Sequence, residues 1–197
     1  LMAAGIGVGD TATRSLVLVD GIPANGGFFG NVFWNRVPKS MIERVEIVRG
    51  ASSSLFGSYA MGGVVNIVTT VPNKSEGGGE TLYGQNNRFQ GNANYGHVVN
   101  DAVALSFNGN YYHTNGYYVV PSTQIRPIDE RLGGQLYDVQ GKGNFTFSES
   151  VKGFLRAGYN NQRRFGEFPS QKNYSEIPDV AGGLTIDLKD YGQVGVN

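Results

Sequence analysis

Cysteine is absent from the 197 residues. That excludes a disulfide-stapled scaffold and any thiolate-ligated metal centre. Charge is scarce and balanced: 16 basic and 16 acidic residues make up 16% of the chain, where a soluble domain usually carries about 25%. A protein that works by neutralising nucleic-acid phosphates needs a surplus of Lys and Arg, so no nucleic-acid partner is expected. No apolar run approaches the roughly 20 residues of a membrane-crossing helix. His97 and His113 stand alone, with no partner at metal-ligand spacing. There is no Gly-x-Ser-x-Gly elbow, no histidine in a nucleophilic constellation and no pattern that sets two carboxylates across a cleft. Gly5, Gly7 and Gly9 fall short of a full G-x-G-x-x-G and follow no strand. A binding protein is therefore expected rather than an enzyme, with no cofactor and no metal site.

Glycine is abundant, at 30 residues, alongside 11 Tyr and 11 Phe. The character of the chain changes at residues 72–79, a Pro/Gly/Ser-rich linker by composition. Residues 1–71 read as mixed α/β. Leu16-Val17-Leu18-Val19 is a buried strand closed by an Asp20-Gly21 turn. Residues 38–43 hold about one helical turn, 45–49 and 64–70 are further strands, and 52–61 could hold a short helix. The chain begins at Leu1 without an initiator Met, and 192–197 stops within a strand-like pattern. A piece of a longer protein is expected.

Residues 80–197 read as all-β. Val103, Leu105, Phe107, Gly109 and Tyr111 alternate with Ala104, Ser106, Asn108 and Asn110. The same period of two runs through 89–96, 137–147 and 151–159, although Phe154 interrupts the polar face. Ile186, Leu188, Val194 and Val196 share a phase near the end. Such alternation fits a soluble β-sandwich or a transmembrane barrel. An amide-rich polar face, single aromatics near strand ends and connections that alternate short and long favour the barrel. The short connections are 97–101 and 148–150, the long ones 115–136 and 165–184. At most six strands are expected, too few to close a barrel, which needs about eight.

Three blocks carry a family resemblance. They are Leu16-Val17-Leu18-Val19-Asp20-Gly21-Ile22-Pro23, then Ile42-Glu43-Arg44-Val45-Glu46-Ile47-Val48-Arg49-Gly50, and then the stretch from Ser54 through Gly62-Gly63-Val64-Val65-Asn66-Ile67-Val68-Thr69. In order and spacing they resemble the plug domain of TonB-dependent outer-membrane receptors. Tyr111-Tyr112-His113-Thr114-Asn115-Gly116-Tyr117 resembles the outer end of the third barrel strand in cobalamin-type members. Ala51 stands where the family often has Pro. The resemblance implies a plug of mixed α/β, residues 1–71, followed by about six of 22 antiparallel transmembrane β-barrel strands. It implies an outer-membrane location in a Gram-negative bacterium and contact with outer-membrane lipid. It further implies capture of a scarce nutrient, foremost a ferric siderophore, with cobalamin, haem or a glycan as alternatives. Uptake would be driven by the partner TonB through a TonB box that this chain lacks. A soluble carbohydrate-binding or adhesin-like β protein is the competing class.

Two groups of residues are candidates for these roles. Glu43, Arg44, Glu46 and Arg49 place four charges within one short strand. In the family, equivalent charges lock the plug to barrel carboxylates, and Arg suits this because its fork binds a carboxylate bidentately. Arg49 is the foremost candidate. The loop around Asn25, Phe28, Phe29, Asn31 and Trp34 resembles the plug apex, and its rings and amides suit an amphipathic ligand. Asp129, Glu130, Glu176 and Asp179 could in principle ligate Ca²⁺, but without ligand spacing they read as solvated loop acids.

Overall fold

A computed structural model describes residues 15–26, 30–50, 54, 57, 60–166, 172–189 and 192–196. Contacts divide the chain into two units, Leu1–Thr70 and Val71–Val196.

The first unit holds a four-stranded sheet in the order β2-β1-β4-β3. Its strands are β1 (Ser15–Val19), β2 (Ile22–Pro23), β3 (Ile42–Arg49) and β4 (Gly63–Thr69). β1 runs parallel to β4, and β3 pairs with β4 in the antiparallel sense. β1 is central and covered on both faces, which is why its sequence is a continuous apolar run rather than an alternation. Leu16 and Leu18 pack with Ala60 and Val64 on one face. Val17 and Val19 pack with Ile67 on the other, against Val32, Val37 and Ile42. The β1–β2 hairpin turns on Asp20 and Gly21, with φ of 52° and 81°. Positive φ at both central residues is what a two-residue type I′ turn requires. Gly63, at φ 144°, is needed for another reason: a Cβ there would meet the Val48 carbonyl oxygen at 2.7 Å. The turn expected at 38–43 is a single 3₁₀ turn, Lys39–Met41, and β3 begins directly after it. Of the short helix expected at 52–61, all but residues 54, 57, 60 and 61 lie outside the described ones.

The second unit is a seven-stranded antiparallel meander whose strands neighbour one another in chain order. These are β5 (Glu76–Gly84), β6 (Arg88–Asn100), β7 (Val103–Tyr117), β8 (Leu132–Ser148), β9 (Val151–Phe165), β10 (Lys172–Asp187) and β11 (Gln193–Val196). Six strands were the expected maximum; the seventh arises because the last segment, read as one, holds both β10 and β11, and the bounds of two expected connections also shift. β5 starts at Glu76, so the second half of the expected linker is strand; its glycines carry no pattern, and their pairing with β6 orders them. The long connection expected at 165–184 shrinks to 166–171, because β10 occupies most of it. Glu176, Pro178 and Asp179 disguise that strand as a loop. The proline is tolerated because β11 pairs only with 184–187, leaving the rest of that edge of β10 uncovered among the described residues.

Register places the alternation on two faces. Phe107, Gly141, Ala157 and Val180 lie in one row across β7 to β10, and Asn108, Gln140 and Gly158 lie in another. The first row belongs to an apolar face on which Phe107, Val139, Leu155 and Val180 are exposed. Along β7 it runs over residues 103–111, along β9 over 151–159 and along β10 over 178–186. The opposite face is polar and tightly packed. Asp138 accepts hydrogen bonds from the Gln140 and Asn160 side-chain amides, each at 3.0 Å, and both Asp138 and Asn160 are at most 1% exposed. Phe154, the apolar interruption on this face, lies under the Lys142 ammonium, which stands 4.8 Å from the ring centroid.

Removing the buried acceptor has a defined consequence. Asp138→Leu strands the amide protons of Asn160 and Gln140, and each unsatisfied group costs about 1–3 kcal/mol. The denaturation midpoint of the β-unit is expected to fall, and to fall less for Asp138→Asn, which keeps one carbonyl acceptor.

Candidate functional site

The three plug blocks meet through side chains. Asp20, at the tip of the β1–β2 turn, accepts from the Thr69 backbone N–H at 2.9 Å and from the Thr69 hydroxyl at 2.9 Å. Asn66 stands in register between Leu18 on β1 and Glu46 on β3. Its Oδ1 accepts from the Gly21 N–H at 3.2 Å, and its Nδ2 donates to Glu46 Oε2 at 2.9 Å. The Glu46 Oε1 then accepts from Arg44 Nε at 2.9 Å, and Arg44 Nη1 donates to Glu43 at 3.0 Å. A continuous polar chain thus runs from turn to edge strand: Gly21, Asn66, Glu46, Arg44, Glu43. Asp20, Asn66 and Thr69 were not singled out by sequence. Their signal is the spacing of an Asp-Gly turn against an Asn-x-x-Thr strand, which needs the parallel β1–β4 register to be read.

The expected lock residues fall into two classes. Glu43, Arg44 and Glu46 are bound to one another on an exposed surface, where ion pairs add little to stability. Arg49 ends β3, exposed, and forms no ion pair among the described residues. β3 is the edge of its sheet, and Val45, Ile47 and Val48 beside these charges are also exposed. The Asn66 amide, followed by the Arg44 guanidinium, holds the Glu46 carboxyl below its ordinary range.

At the apex, Asn25 is occupied by backbone. Its Oδ1 accepts from Val17 N–H at 2.8 Å, and its Nδ2 donates to the Gly30 carbonyl at 2.9 Å. A bridge between Asn25 and Val32 and a Gly26 N–H to Asn31 carbonyl bond of 2.7 Å close the loop. Asn25 therefore shapes the apex. Asn31 is half-buried, and Trp34, in a 3₁₀ turn Trp34–Arg36, is 53% exposed. Phe28 and Phe29 lie outside the described residues.

In the β-unit, residues 118–131 join β7 to β8. Here Asp129 takes the Arg126 guanidinium at 3.0 Å and the Arg126 N–H at 2.7 Å, which depress its pKa. Glu176 is not a loop acid but a strand residue, accepting from the hydroxyls of Tyr159 and Tyr174 and from Asn161. Asp179 lies 3.8 Å from Arg156. The four acids are dispersed, and no group of three or more His, Asp or Glu residues at metal-binding distance occurs among the described residues. No described helix is long and apolar enough to cross a membrane, which leaves crossing by strands open.

Residues 4–64 match the family model of the TonB-dependent receptor plug domain. Among solved structures, the siderophore receptor PirA from Acinetobacter baumannii shares the fold over 92% of this chain and 31% of its own, with a TM-score of 0.70 and 21% identity. The ferric enterobactin receptor PfeA from Pseudomonas aeruginosa, a mutant in complex with enterobactin, matches over 92% and 32%, with a TM-score of 0.61 and 18% identity. The copper transporter OprC matches over 90% and 28%, with a TM-score of 0.66 and 15% identity. The chain thus spans about a third of the length of these proteins.

The Glu46 arrangement makes a pH prediction. A carboxyl with a lowered folded pKa adds stability that is present above its unfolded value, about 4.3, and is lost as pH falls through the folded one. Asn66→Leu is expected to bring the Glu46 pKa back up toward the ordinary value, read by carboxyl ¹³C shifts against pH. Asp20→Ala is expected to be the more damaging change, about 1–3 kcal/mol, because it orphans the N–H and hydroxyl of Thr69. Faster amide exchange in β4 checks it.

Proposed function

We propose, from the premise that residues 4–64 are a TonB-dependent receptor plug domain and that the strands after it form part of a barrel sheet, that the protein is an outer-membrane receptor. It binds a scarce nutrient and imports it with TonB-coupled energy, and it carries out no covalent chemistry. The observation that carries the reading is the apolar face of the meander. Its stretches 103–111, 151–159 and 178–186 match the roughly 9–11 residues a tilted strand needs to cross a bilayer. Tyr111, Tyr137 and Tyr159 at one end and Phe145 and Phe147 at the other occupy the places of interfacial girdles. A soluble sandwich would bury that face, whereas Val180 on it is 76% exposed.

The aromatic residues of the loop sequence favour a ferric siderophore, a small amphipathic metal chelate, as the nutrient. Asn31, Phe28, Phe29 and Trp34 would supply the contact, with Asn25 holding the loop. Arg49 is assigned to the lock, its carboxylate partners lying on barrel strands outside this chain. In this reading the Arg44–Glu46 network orients β3 so that Arg49 projects from its end. Residues 1–71 act as plug, 72–79 as the junction and the remainder as the first barrel strands.

Two measurements test the reading. In the complete receptor, Leu155→Arg is expected to cost about 2–4 kcal/mol of barrel stability, and Asn144→Arg on the polar face far less; equal costs would remove the membrane assignment. The double change Phe28→Ala with Phe29→Ala is expected to weaken binding of a ferric siderophore by about 1–3 kcal/mol, one to two decades in affinity, with barrel assembly unchanged. Siderophore uptake that persists in cells without TonB would overturn the transport assignment.

A further inference from the structure

The apolar face of the meander is not uniformly filled. Across β6 to β9 it carries a trough of about 670 Å³, floored by Ala93, Gly109, Gly141 and Ala157 and flanked by Phe107 and Tyr159. Small residues from four neighbouring strands fall together, because Ala93 pairs with Gly109 and Gly141 pairs with Ala157. A Cβ at Gly109 would meet nothing within 4 Å. The depression is therefore not demanded by backbone packing: a larger side chain would fit there and would cover apolar surface.

The end of the trough at Tyr159 leads to cations. Along the same face of β9 follow Asn161 and Arg163, the latter about 13 Å from Tyr159 at ~3.3 Å per residue. Arg163 is exposed, lies 5.1 Å from the Tyr174 ring centroid and makes no ion pair among the described residues. Lys172, on the same face and diagonal to Arg163 in the β9–β10 register, is likewise exposed. Among the described residues the nearby carboxylate is Glu176, which accepts from Tyr159, Tyr174 and Asn161. It is thus held by donors of its own, and the two cations face outward without an acidic partner. These residues sit at the end of the sheet that carries the 118–131 connection, the longer one and hence the outer end of an outer-membrane strand pair.

We propose that this face holds one phosphorylated lipid of the outer leaflet, an acyl chain lying in the Gly109–Gly141 trough and a phosphate engaged by Arg163 and Lys172. The proposal rests on the outer-membrane reading. The trough supplies apolar contact continuous with the membrane-facing band, and the paired cations supply charge complementarity to a phosphate at the depth where headgroups begin. A neutral lipid would gain from the trough alone, so both halves are needed for selectivity. Tyr174 fixes the guanidinium plane, which costs less on binding than ordering a free Arg side chain.

The test uses the complete receptor purified in mild detergent from outer membranes, with phosphorus-containing lipid retained per receptor measured by mass spectrometry. Arg163→Gln with Lys172→Gln is expected to lower retention roughly tenfold, the loss of about one charge-assisted contact. Gly109→Leu, which fills the trough without a clash, is expected to lower it as well. Lys152→Gln, removing an exposed cation on the other face, is expected to leave it unchanged. Heat-modifiable migration reports that each variant has folded, and the charge variant stands as the test if the glycine variant does not. Equal retention in all folded variants would overturn the lipid site while leaving the receptor reading intact. Failure of the wild type to fractionate with outer membranes would instead overturn the receptor reading.

Discussion

A backbone amide in hydrocarbon has no water to fall back on, and an unpaired one costs several kcal/mol. In the proposed membrane setting β5 to β9 meet this by pairing with the next strand along most of their length: β9 is hydrogen-bonded to β8 from Gly133 to Ser148 and to β10 from Lys172 to Ile186. The pairing tolerates what a soluble sheet would find hard to place, including a run of three glycines in β5 and a proline in β10. It also fixes what each side chain does, since a shift of one residue would exchange the two faces throughout. The edges of β5 and β11 that face away from the meander carry no partner among the described residues. A sheet of this kind is stable in a bilayer only when further strands close it, and the receptors it resembles are about three times as long.

With the backbone satisfied, the two faces are free to diverge. In the proposed membrane setting lipid would be the solvent of the apolar face, which accounts for exposed Phe107, Val139, Leu155 and Val180 in a chain of modest overall hydrophobicity. The opposite face is made of amides and a few charges, several of which bind one another, while Asn110 Oδ1 and Asn144 Nδ2 are buried without a hydrogen-bond partner among the described residues. Asp138 there accepts from two carboxamides, and Lys142 rests on a ring. Low charge and high amide content, which set this composition apart from soluble domains, are the direct result.

What could be read from the sequence follows the strength of the local physics. The β7, β8 and β9 phases were legible because apolar and polar residues alternate over many positions, and Phe154 was the one misfit. β10 was not legible: Tyr174, Glu176 and Pro178 share one face with Val180, and only the pairing with β9 reveals that Glu176 accepts from two phenols and an amide. In the plug, β1 and β4 could be placed from their apolar runs. The bonds that join them could not, because Asp20 to Thr69 and Gly21 to Asn66 each span more than forty residues. Asn25 illustrates the reverse error: an amide beside aromatics reads as a ligand contact, and the backbone has already claimed it.

The plug blocks acquire a common reason from these bonds. A turn with two positive-φ residues leaves the Gly21 N–H and the Asp20 carboxylate projecting over the neighbouring strand, and β4 answers with Asn66 and Thr69 at matching positions. Asn66 can serve the turn with its oxygen and Glu46 with its nitrogen only because it has both functions on one planar group; Asp would fail toward Glu46 and Leu on both sides. Glu46 in turn engages Arg44, which would otherwise compete with Arg49 for any carboxylate presented to the edge strand. The network therefore consumes three of the four charges on β3 internally and leaves a single cation at the strand's end. If Arg49 is the lock residue proposed above, one guanidinium in a fixed place would select its partner more sharply than four charges free to exchange.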